Sequence, residues 1–232
     1  MMSISVIIPV YNCERFVAEA IRSVQAQVSV PAESIEIIAI DDGSTDRSAE
    51  VLREFGDTIR HAHQPNGGIA SARNCGIAMA TGELLAFLDA DDRWTPEKLA
   101  LQVAALEADP NLDAVFGHVR QFYSETLPEE QRPRLAAEVM PGHLASAMLV
   151  RRSRFDAVGG FDDRLRGAEF IDWLTQARER GLKMAMLPEV VLERRIHDSN
   201  TGRRERERVA SDYLRVVRAA LQRRREGQEA TS

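Results

Sequence analysis

The chain has 232 residues, of which 44% are hydrophobic and 28% are charged, as is ordinary for a soluble globular protein. Its formal net charge of −6 offers no electrostatic basis for binding nucleic acid. No segment approaches the roughly 20 continuous apolar residues of a membrane-spanning helix, and the N-terminus lacks the basic start of a signal peptide. Two cysteines do not make a disulfide framework, so we expect the reducing environment of the cytoplasm.

The first 123 residues alternate between predicted strands and helices. Short β-branched or apolar runs indicate strands at residues 3–10, 35–40, 58–63, 83–88 and 114–123. Apolar residues at helical spacing indicate helices at residues 15–28, 69–80 and 96–109, and another that ends near residue 55. Because strands and helices alternate with short connections, we expect an α/β fold in which a parallel sheet carries helices on both faces.

The rest of the chain is less regular. Residues 124–142 are polar with three prolines and predict a long loop, and residues 144–158 contain an apolar run and a helix. A helix at residues 169–180, a strand at 183–187 and an apolar, then basic, run at 190–196 follow. Residues 203–225 hold nine arginines against three acids, with apolar residues on one face, which predicts an amphipathic terminal helix before a disordered tail at 227–232.

Two acidic loops follow the second and fourth predicted strands. The first begins at Asp41-Asp42 and the second is Asp89-Ala90-Asp91. Ligands of such sheets bind beyond the carboxyl ends of the strands, so both loops lie where a site is expected. Carboxylates there suit Mn²⁺ or Mg²⁺, which also bridge the phosphates of a nucleotide diphosphate. The alternatives are an ordinary strand-capping loop for Asp89 and Asp91 and a solvated turn for Asp42.

Five segments resemble the family 2 glycosyltransferases, in that family's order and at its usual separations. They are SVIIPVYN at residues 5–12, DDGSTD at 41–46, NGGIASARNCGI at 66–77, GELLAFLDADD at 82–92 and VGGFDD at 158–163. The resemblance implies a GT-A fold, with a single, mostly parallel mixed sheet and helices on both faces. It also implies one domain over residues 1–202, with a Rossmann-like nucleotide-sugar-binding half at 1–123 and an acceptor half at 124–202. The arginine-rich helix at 203–226 follows this domain.

The resemblance assigns four residues to binding the donor. Pro9 and Tyr11 match the strand end that lines the nucleoside, and the ring of Tyr11 is suited to lie against the base. Asp42 matches the acid that contacts uracil. Arg73 matches a residue close to the nucleotide, where it would bind phosphate or hold a carboxylate.

The resemblance also implies ligands for the metal and the diphosphate. Asp89 and Asp91 match the family's metal motif, with Asp91 as the direct ligand of Mn²⁺ or Mg²⁺. In related enzymes a late His or Arg reaches the diphosphate or the metal, and His197 is the candidate imidazole ligand. Arg194 or Arg195 would clamp the diphosphate. The plain alternative for His197 is a solvated loop residue.

The segment expected to carry the catalytic base departs from the family's sequence pattern. Family members usually carry a Glu-Asp pair that opens a helix after the VGGFDD-like turn, and the Asp of that pair is the base. Here residues 167–173 are GAEFIDW, and alignment on Trp173 puts Glu169 at the base position. Asp172 is the rival, because it lies three residues on and on nearly the same helix face. A third interpretation makes Glu169 a first-turn acid favoured by the helix dipole, and Trp173 belongs to the core or borders an acceptor pocket.

Together these features predict an inverting, metal-dependent glycosyltransferase that moves a sugar, expected to be UDP-linked, to an acceptor hydroxyl. The acceptor class stays open between a saccharide, a lipid-linked precursor, a peptide and a small molecule. The alternatives are a non-catalytic nucleotide-sugar-binding module and a sugar nucleotidyltransferase, although residues 9–16 lack the glycine-rich phosphate loop of the latter. For the arginine-rich helix the interpretations are a solvated face or contact with a membrane surface or an acidic acceptor.

Overall fold

The computed structural model describes residues 2–133, 138–198 and 206–229. Within these residues a single sheet is built from nine strands: β1 (Met2–Val10), β2 (Ala32–Asp41), β3 (Arg60–His63), β4 (Leu84–Phe87), β5 (Arg93–Trp94), β6 (Ala114–Tyr123), β7 (Val139–Pro141), β8 (Leu149–Arg151) and β9 (Met184–Ile196). Their order is β3-β2-β1-β4-β8-β6-β9-β5, with β7 paired to β6 off this path. Strands β1 to β4 pair in parallel, as do β6 and β9, whereas β5, β7 and β8 run antiparallel to their neighbours. The sheet is therefore mixed.

Seven α-helices lie within the described ranges. They are α1 (Val17–Gln25), α2 (Ser48–Glu54), α3 (Ile69–Met79), α4 (Lys98–Ala108), α5 (Arg152–Val158), α6 (Glu169–Glu179) and α7 (Arg206–Glu229). Helices α1, α2 and α4 pack in one hydrophobic cluster on the sheet, and α3, α5 and α6 pack in a second. The prediction of an α/β fold with helices on both faces is confirmed.

Strand β1 shows why both faces are covered. Every residue from Ile4 to Val10 is buried, and Ile4, Val6 and Ile8 belong to the first cluster whereas Ile7 belongs to the second. Successive side chains of a strand point to opposite faces. A continuous apolar run therefore requires apolar helices on both sides of the sheet.

The carboxyl ends of the parallel strands meet at one edge of the sheet. Val10 of β1 pairs with Asp41 of β2, and β4 pairs with β1 up to Phe87, just before the second acidic loop. Farther along the sheet, Tyr123 of β6 pairs with Ile196 of β9. Both acidic loops and the residues that follow β9 therefore leave the sheet at the same edge.

The fold contains strands that the sequence does not predict. Strand β7 lies inside the predicted loop at residues 124–142, and the two-residue strand β5 pairs with β9. The run at 183–187 and the run at 190–196 form one strand, because both pair with β6. The ladder is irregular between Met186 and Val190, where Pro188 has no amide hydrogen to donate.

Helix α7 corresponds to the predicted arginine-rich helix. It continues through residues 227–229, for which a disordered tail is predicted. Residues 203–205 of the predicted helix and 230–232 of the predicted tail lie outside the described residues, as do residues 199–202 at the end of the predicted domain. None of the helices in the described ranges is both long enough and apolar enough to cross a bilayer.

Glu36 of β2 ties together several segments near the start of β1. Its carboxylate accepts hydrogen bonds from Ser5 Oγ at 2.6 Å, from Arg60 Nη1 at 2.8 Å, and from the amide and hydroxyl of Thr81 at 2.6 and 2.7 Å. Burial alone would raise the pKa of Glu36, but these bonds favour the charged form and lower the pKa from 4.5 to about 2. The charged carboxylate therefore stabilises the fold.

We expect Glu36→Gln to lower the free energy of unfolding at neutral pH by about 1 to 2 kcal/mol, since the amide loses the charge-assisted part of these bonds. A carboxyl group whose pKa is lowered in the folded state stabilises it fully above the unfolded pKa, and this stabilisation is lost as the pH falls toward the folded pKa. The difference between variant and wild type should therefore shrink below pH 4.5 and approach zero near pH 2. Urea unfolding at neutral pH and at about pH 3 measures this; an unchanged difference would contradict it.

Candidate functional site

Arg73 joins the two halves of the chain at the carboxyl edge of the sheet. Its guanidinium donates one hydrogen bond to Glu169 Oε1 and another to Asp89 Oδ1, both at 2.7 Å, and its side chain is only 3% exposed. Burial works against the charge of Arg73, but the carboxylates of Asp89 and Glu169 outweigh it and raise its pKa. One charged side chain thus holds both the first acid of the metal motif and the predicted base.

The small residues of α3 bring Arg73 to this position. A Cβ atom on Gly76 would stand 2.5 Å from the side chain of Ile7 on β1, closer than real Cβ contacts allow. Ala70 and Ala72 are also buried against the sheet. The helix can therefore lie close to β1 and β2, with Arg73 extending toward the loop that follows β4.

Two polar atoms of this ion-paired cluster have no hydrogen-bond partner in the described part of the chain. They are Arg73 Nε and Glu169 Oε2. Buried polar atoms are nearly always satisfied, so each exception requires an explanation. Glu169 is 5% exposed and opens α6, with Oε1 already bound by Arg73. Oε2 is therefore the carboxylate oxygen that has no hydrogen-bond partner among the described residues.

The acidic loop after β4 is fixed from two sides. The amide of Asp89 donates to Ser146 Oγ at 3.0 Å, and the carboxylate of Asp92 accepts from the amide of Arg195 at 2.8 Å. Burial, together with the charges of Asp91 and Asp89, raises the pKa of Asp92 well above its ordinary value. Asp92 is buried, whereas the side chains of Asp89 and Asp91 are 34% and 27% exposed and accessible to a ligand.

His197, which follows β9, lies against the metal motif. Its Nε2 is 2.9 Å from Asp91 Oδ2, and its ring packs at 5.0 Å from the ring of Phe16. The side chain is buried, so the alternative of a solvated loop histidine does not describe it. No group of three His, Cys, Asp or Glu side chains suited to a metal ion occurs in the described ranges. Asp91 and His197 could hold a cation only together with oxygens from a bound ligand and water.

The two late arginines have different surroundings. The guanidinium of Arg195 donates to the main-chain oxygen of Asp91 at 3.0 Å and to the carboxylate of Glu19, and lies over two aromatic rings at 4.7 and 4.6 Å. Arg195 is buried and holds the acidic loop in place. Arg194 is exposed, so it is the more accessible of the two for a diphosphate.

Asp42 organises the turn that precedes α3. Its Oδ1 accepts from the amide of Gly67 at 2.8 Å and from Gln64 Nε2 at 2.7 Å, and its Oδ2 accepts from the amide of Gly68 at 2.8 Å. A carboxylate has about four acceptor positions, so these bonds leave one on Oδ2. Asp42 is almost fully buried and its other acceptor positions are occupied. The predicted contact with uracil would therefore have to use the remaining position on Oδ2.

Pro9 and Tyr11, at the end of β1, differ in burial. Pro9 is buried in the sheet, whereas the ring of Tyr11 is 52% exposed and accessible to a base. Asn12 accepts a hydrogen bond from the amide of Thr45 at 2.8 Å, which ties this end to the first acidic loop. Gly43 in that loop has φ +73°, and a Cβ there would stand 2.8 Å from the amide of the neighbouring turn. Only glycine fits at this position.

The other candidates on α6 have local partners. Asp172 accepts a hydrogen bond from Gln176 Nε2 of its own helix at 2.8 Å. Trp173 is 1% exposed, stacks on Phe155 with ring centroids 4.9 Å apart, and donates to the carbonyl of Gly159 at 3.0 Å. Trp173 is therefore part of the core and does not border a pocket.

Three contributing residues were not predicted. Glu19 of α1 binds Arg195, Ser146 holds the amide of Asp89, and the guanidinium of Arg166 lies 3.7 Å from where a Cβ on Gly68 would stand. Each contact joins parts of the chain that are far apart in sequence. Periodicity and motifs report only local order, so they carry no signal for such residues.

Known proteins with similar sequences establish the family. The family model described as "Glycosyl transferase family 2" matches residues 5–161. The chain belongs to glycosyl transferase family 2. Among its curated relatives, the chondroitin synthase of Pasteurella multocida is 28% identical over 233 residues, which covers 96% of this chain and 23% of that protein. The family 2 chain spans less than two thirds of the length of the first curated relatives it matches.

Solved structures place this family 2 chain in the GT-A fold. TarS 1-349 of S. aureus in complex with UDP is 20% identical, with a TM-score of 0.69 over 94% of this chain and 64% of that chain. The mannosyltransferase PcManGT of Pyrobaculum calidifontis, in complex with GDP-Man and Mn²⁺, is 23% identical, with a TM-score of 0.69 over 95% of this chain and 64% of that chain. The predicted GT-A fold is confirmed.

Proposed function

We propose that this chain is a metal-dependent, inverting glycosyltransferase that moves a sugar from a nucleotide diphosphate, expected to be UDP, to an acceptor hydroxyl. The observation that carries the proposal is the bridge from Asp89 through Arg73 to Glu169, which brings the metal motif and the predicted base together. Relatives of the same fold hold UDP in one case and GDP-Man with Mn²⁺ in another, which supports a nucleotide-sugar donor.

Asp91 and His197 fit Mn²⁺ better than Mg²⁺. One carboxylate and one imidazole lie 2.9 Å apart at the strand edge. Imidazole nitrogen is a common ligand of transition metals, whereas Mg²⁺ prefers oxygen ligands only. The remaining ligands would be diphosphate oxygens and water, as is usual for cations that bind with nucleotides. A cation bound there would offset the negative charge that grows on the diphosphate as the glycosidic bond breaks.

In this mechanism Glu169 is the general base. Arg73 holds Oε1 and fixes the side chain, and Oε2 takes the proton of the acceptor hydroxyl. The hydroxyl oxygen attacks the anomeric carbon from the face opposite the diphosphate, which leaves as the new bond forms. The configuration inverts in one displacement, so no second carboxylate is needed as a nucleophile. Arg73 also holds Asp89 in place beside Asp91.

A non-catalytic nucleotide-sugar-binding module is the second candidate. The observation in its favour is that Arg73 binds both Asp89 and Glu169, so that the carboxylate of Glu169 is engaged in an ion pair that also has a structural role. Donor binding without transfer to any acceptor and without donor hydrolysis would favour this module. Either measurable activity would favour the enzyme.

We expect nucleotide sugars to raise the unfolding temperature of the protein only when a divalent cation is present, and more with Mn²⁺ than with Mg²⁺. A donor at about 100 times its Kd adds about 2.7 kcal/mol of stability, which corresponds to a shift of several degrees. A thermal-shift panel of UDP-linked and GDP-linked sugars, with each cation and with EDTA, measures this and identifies the donor.

The matched variants for this panel are His197→Ala and His61→Ala. The first should weaken the preference for Mn²⁺ because it removes the nitrogen ligand, and the second alters an exposed histidine of β3 and should change nothing. If no nucleotide shifts the unfolding temperature even in millimolar Mn²⁺, the proposed enzyme is wrong.

The acceptor is proposed only by class, as a hydroxyl group of a saccharide, a lipid-linked precursor, a peptide or a small molecule. The cytoplasm is the proposed compartment, since Cys13 and Cys75 are both free thiols, as a reducing environment would keep them.

A further inference from the structure

Helix α7 has an apolar stripe that no other described part of the chain covers. Tyr213, Leu214, Val217 and Leu221 are 42%, 58%, 52% and 51% exposed. At about 100° of rotation per residue, these four side chains share one face over two to three turns of the helix. Exposed hydrophobic side chains elsewhere in the described residues are scattered, whereas a contiguous apolar surface marks an interaction site.

The opposite face of α7 is fixed to the protein. The buried carboxylate of Asp212 accepts from the amide of Arg166 at 2.8 Å, and Val216 packs in a small cluster with Leu165. Arg223 donates to a carboxylate of α6 at 2.7 Å. These contacts set the rotation of α7 about its axis, so the stripe is held facing outward.

The charge beside the stripe is positive. Arg218 is exposed and lies about 40° from Leu214 around the helix, at one edge of the stripe. Arg215 lies farther from the stripe and pairs at 3.4 Å with Asp212, the one acid in residues 210–223. An apolar stripe bordered by an arginine, on a segment in which three arginines stand against one acid, is the pattern of a helix that lies in the interface of an anionic membrane.

We propose that α7 docks the protein on an anionic membrane surface, with the stripe at the boundary of headgroups and acyl chains and Arg218 on lipid phosphates. A second copy of the chain could also cover the stripe. That arrangement would bring together two copies of residues 210–223, in which three arginines stand against one acid, so charge complementarity favours lipid. The amide of Arg166 donates to Asp212 of α7, and Arg166 lies just before Glu169 in the chain. Docking of α7 would therefore keep the acceptor half of the site close to the membrane.

Vesicle co-sedimentation tests this proposal. The full chain should bind vesicles of phosphatidylglycerol and bind phosphatidylcholine vesicles much more weakly. Leu214→Gln/Val217→Gln/Leu221→Gln should lower partitioning about tenfold or more, because it removes apolar area from the interface. Arg218→Gln should lower it about fivefold at low salt, and the effect should fade at high salt. Val28→Gln/Ile35→Gln is the matched control, since it removes exposed apolar side chains elsewhere and should bind like wild type.

A depth probe gives an independent measurement. Trp94 and Trp173 are buried, so Tyr213→Trp adds the one exposed tryptophan of the described chain. Its emission should shift to shorter wavelength with anionic vesicles and be quenched by brominated lipid. Wild type that does not bind anionic vesicles, or a triple variant that binds as well as the control, would overturn the proposal. A dimer that the triple variant dissociates, without vesicle binding, would assign the stripe to a second copy and overturn it too.

Two controls separate loss of docking from other failures. Thermal unfolding shows whether each variant is folded, and the replaced side chains are exposed, so we expect little change. Cation-dependent binding of the donor is measured on the same variants and should be unaffected. Absence of donor binding in every protein, wild type included, would contradict the proposed glycosyltransferase without bearing on the membrane site.

Discussion

Replacing Glu169 by glutamine is expected to lower turnover about 100- to 10,000-fold, the range contributed by a general base, while leaving affinity for the donor nearly unchanged. Glutamine keeps an oxygen that accepts from Arg73, so the bridge to Asp89 should survive. The amide cannot take a proton from the acceptor hydroxyl. Turnover is measured by release of nucleoside diphosphate, and donor affinity by calorimetry with Mn²⁺.

Asp172→Asn is the matched control for this substitution. Asp172 lies on the same helix and is similarly buried, but its carboxylate is bound to Gln176 of its own helix. We expect this variant to keep most of its turnover. A Glu169→Gln protein as active as wild type would remove Glu169 from the role of base. Loss of turnover in Asp172→Asn alone would assign the role to Asp172.

The first half of the fold could be predicted because its strands and helices carry strong local patterns. Strand β1 is apolar apart from Ser3 and Ser5, and it ends at Val10 as predicted. Strand β6 was predicted at residues 114–123 and spans Ala114–Tyr123. In both strands the local sequence pattern agrees with the pairing of the folded chain.

Other strands could not be predicted to the same extent, because their structure depends on contacts between distant residues. Strand β5 has only two residues and exists because it pairs with β9. Strand β9 passes through Pro188, which taken alone predicts a break. Local propensity is overridden in both cases by pairing with a partner strand.

The site, too, could be predicted only in part from the sequence. The motifs predicted which segments gather at the sheet edge, but not how their side chains pair. Arg73 was expected near phosphate or a carboxylate, and it binds two carboxylates, one of them 96 residues away in the chain. Arg195 was a candidate clamp for the diphosphate, but it is buried beside Glu19. Which of two adjacent arginines is buried depends on the face of the strand from which each side chain projects and on tertiary packing.

Asp91→Ala is expected to lower kcat/KM about 1,000-fold, because a bound cation contributes several kcal/mol to the transition state. Unlike Glu169→Gln, it should weaken donor binding itself whenever Mn²⁺ is needed for that binding. The reason is that Asp91 is the predicted direct ligand, beside His197 at 2.9 Å, so loss of its carboxylate would remove the main protein oxygen expected to hold the cation.

The decisive measurement is a titration of Mn²⁺ at fixed donor concentration, followed by turnover and by thermal stability. For Asp91→Ala, both curves should move to much higher Mn²⁺, whereas for Asp163→Ala, which removes an exposed acid from the turn before α6, they should match wild type. Asp89 cannot substitute easily for Asp91, because its Oδ1 is bound to Arg73 and breaking that ion pair would leave a buried guanidinium with only Glu169. An Asp91→Ala protein that kept wild-type Mn²⁺ dependence would therefore show that the cation binds elsewhere, and the assignment of the metal motif would be wrong.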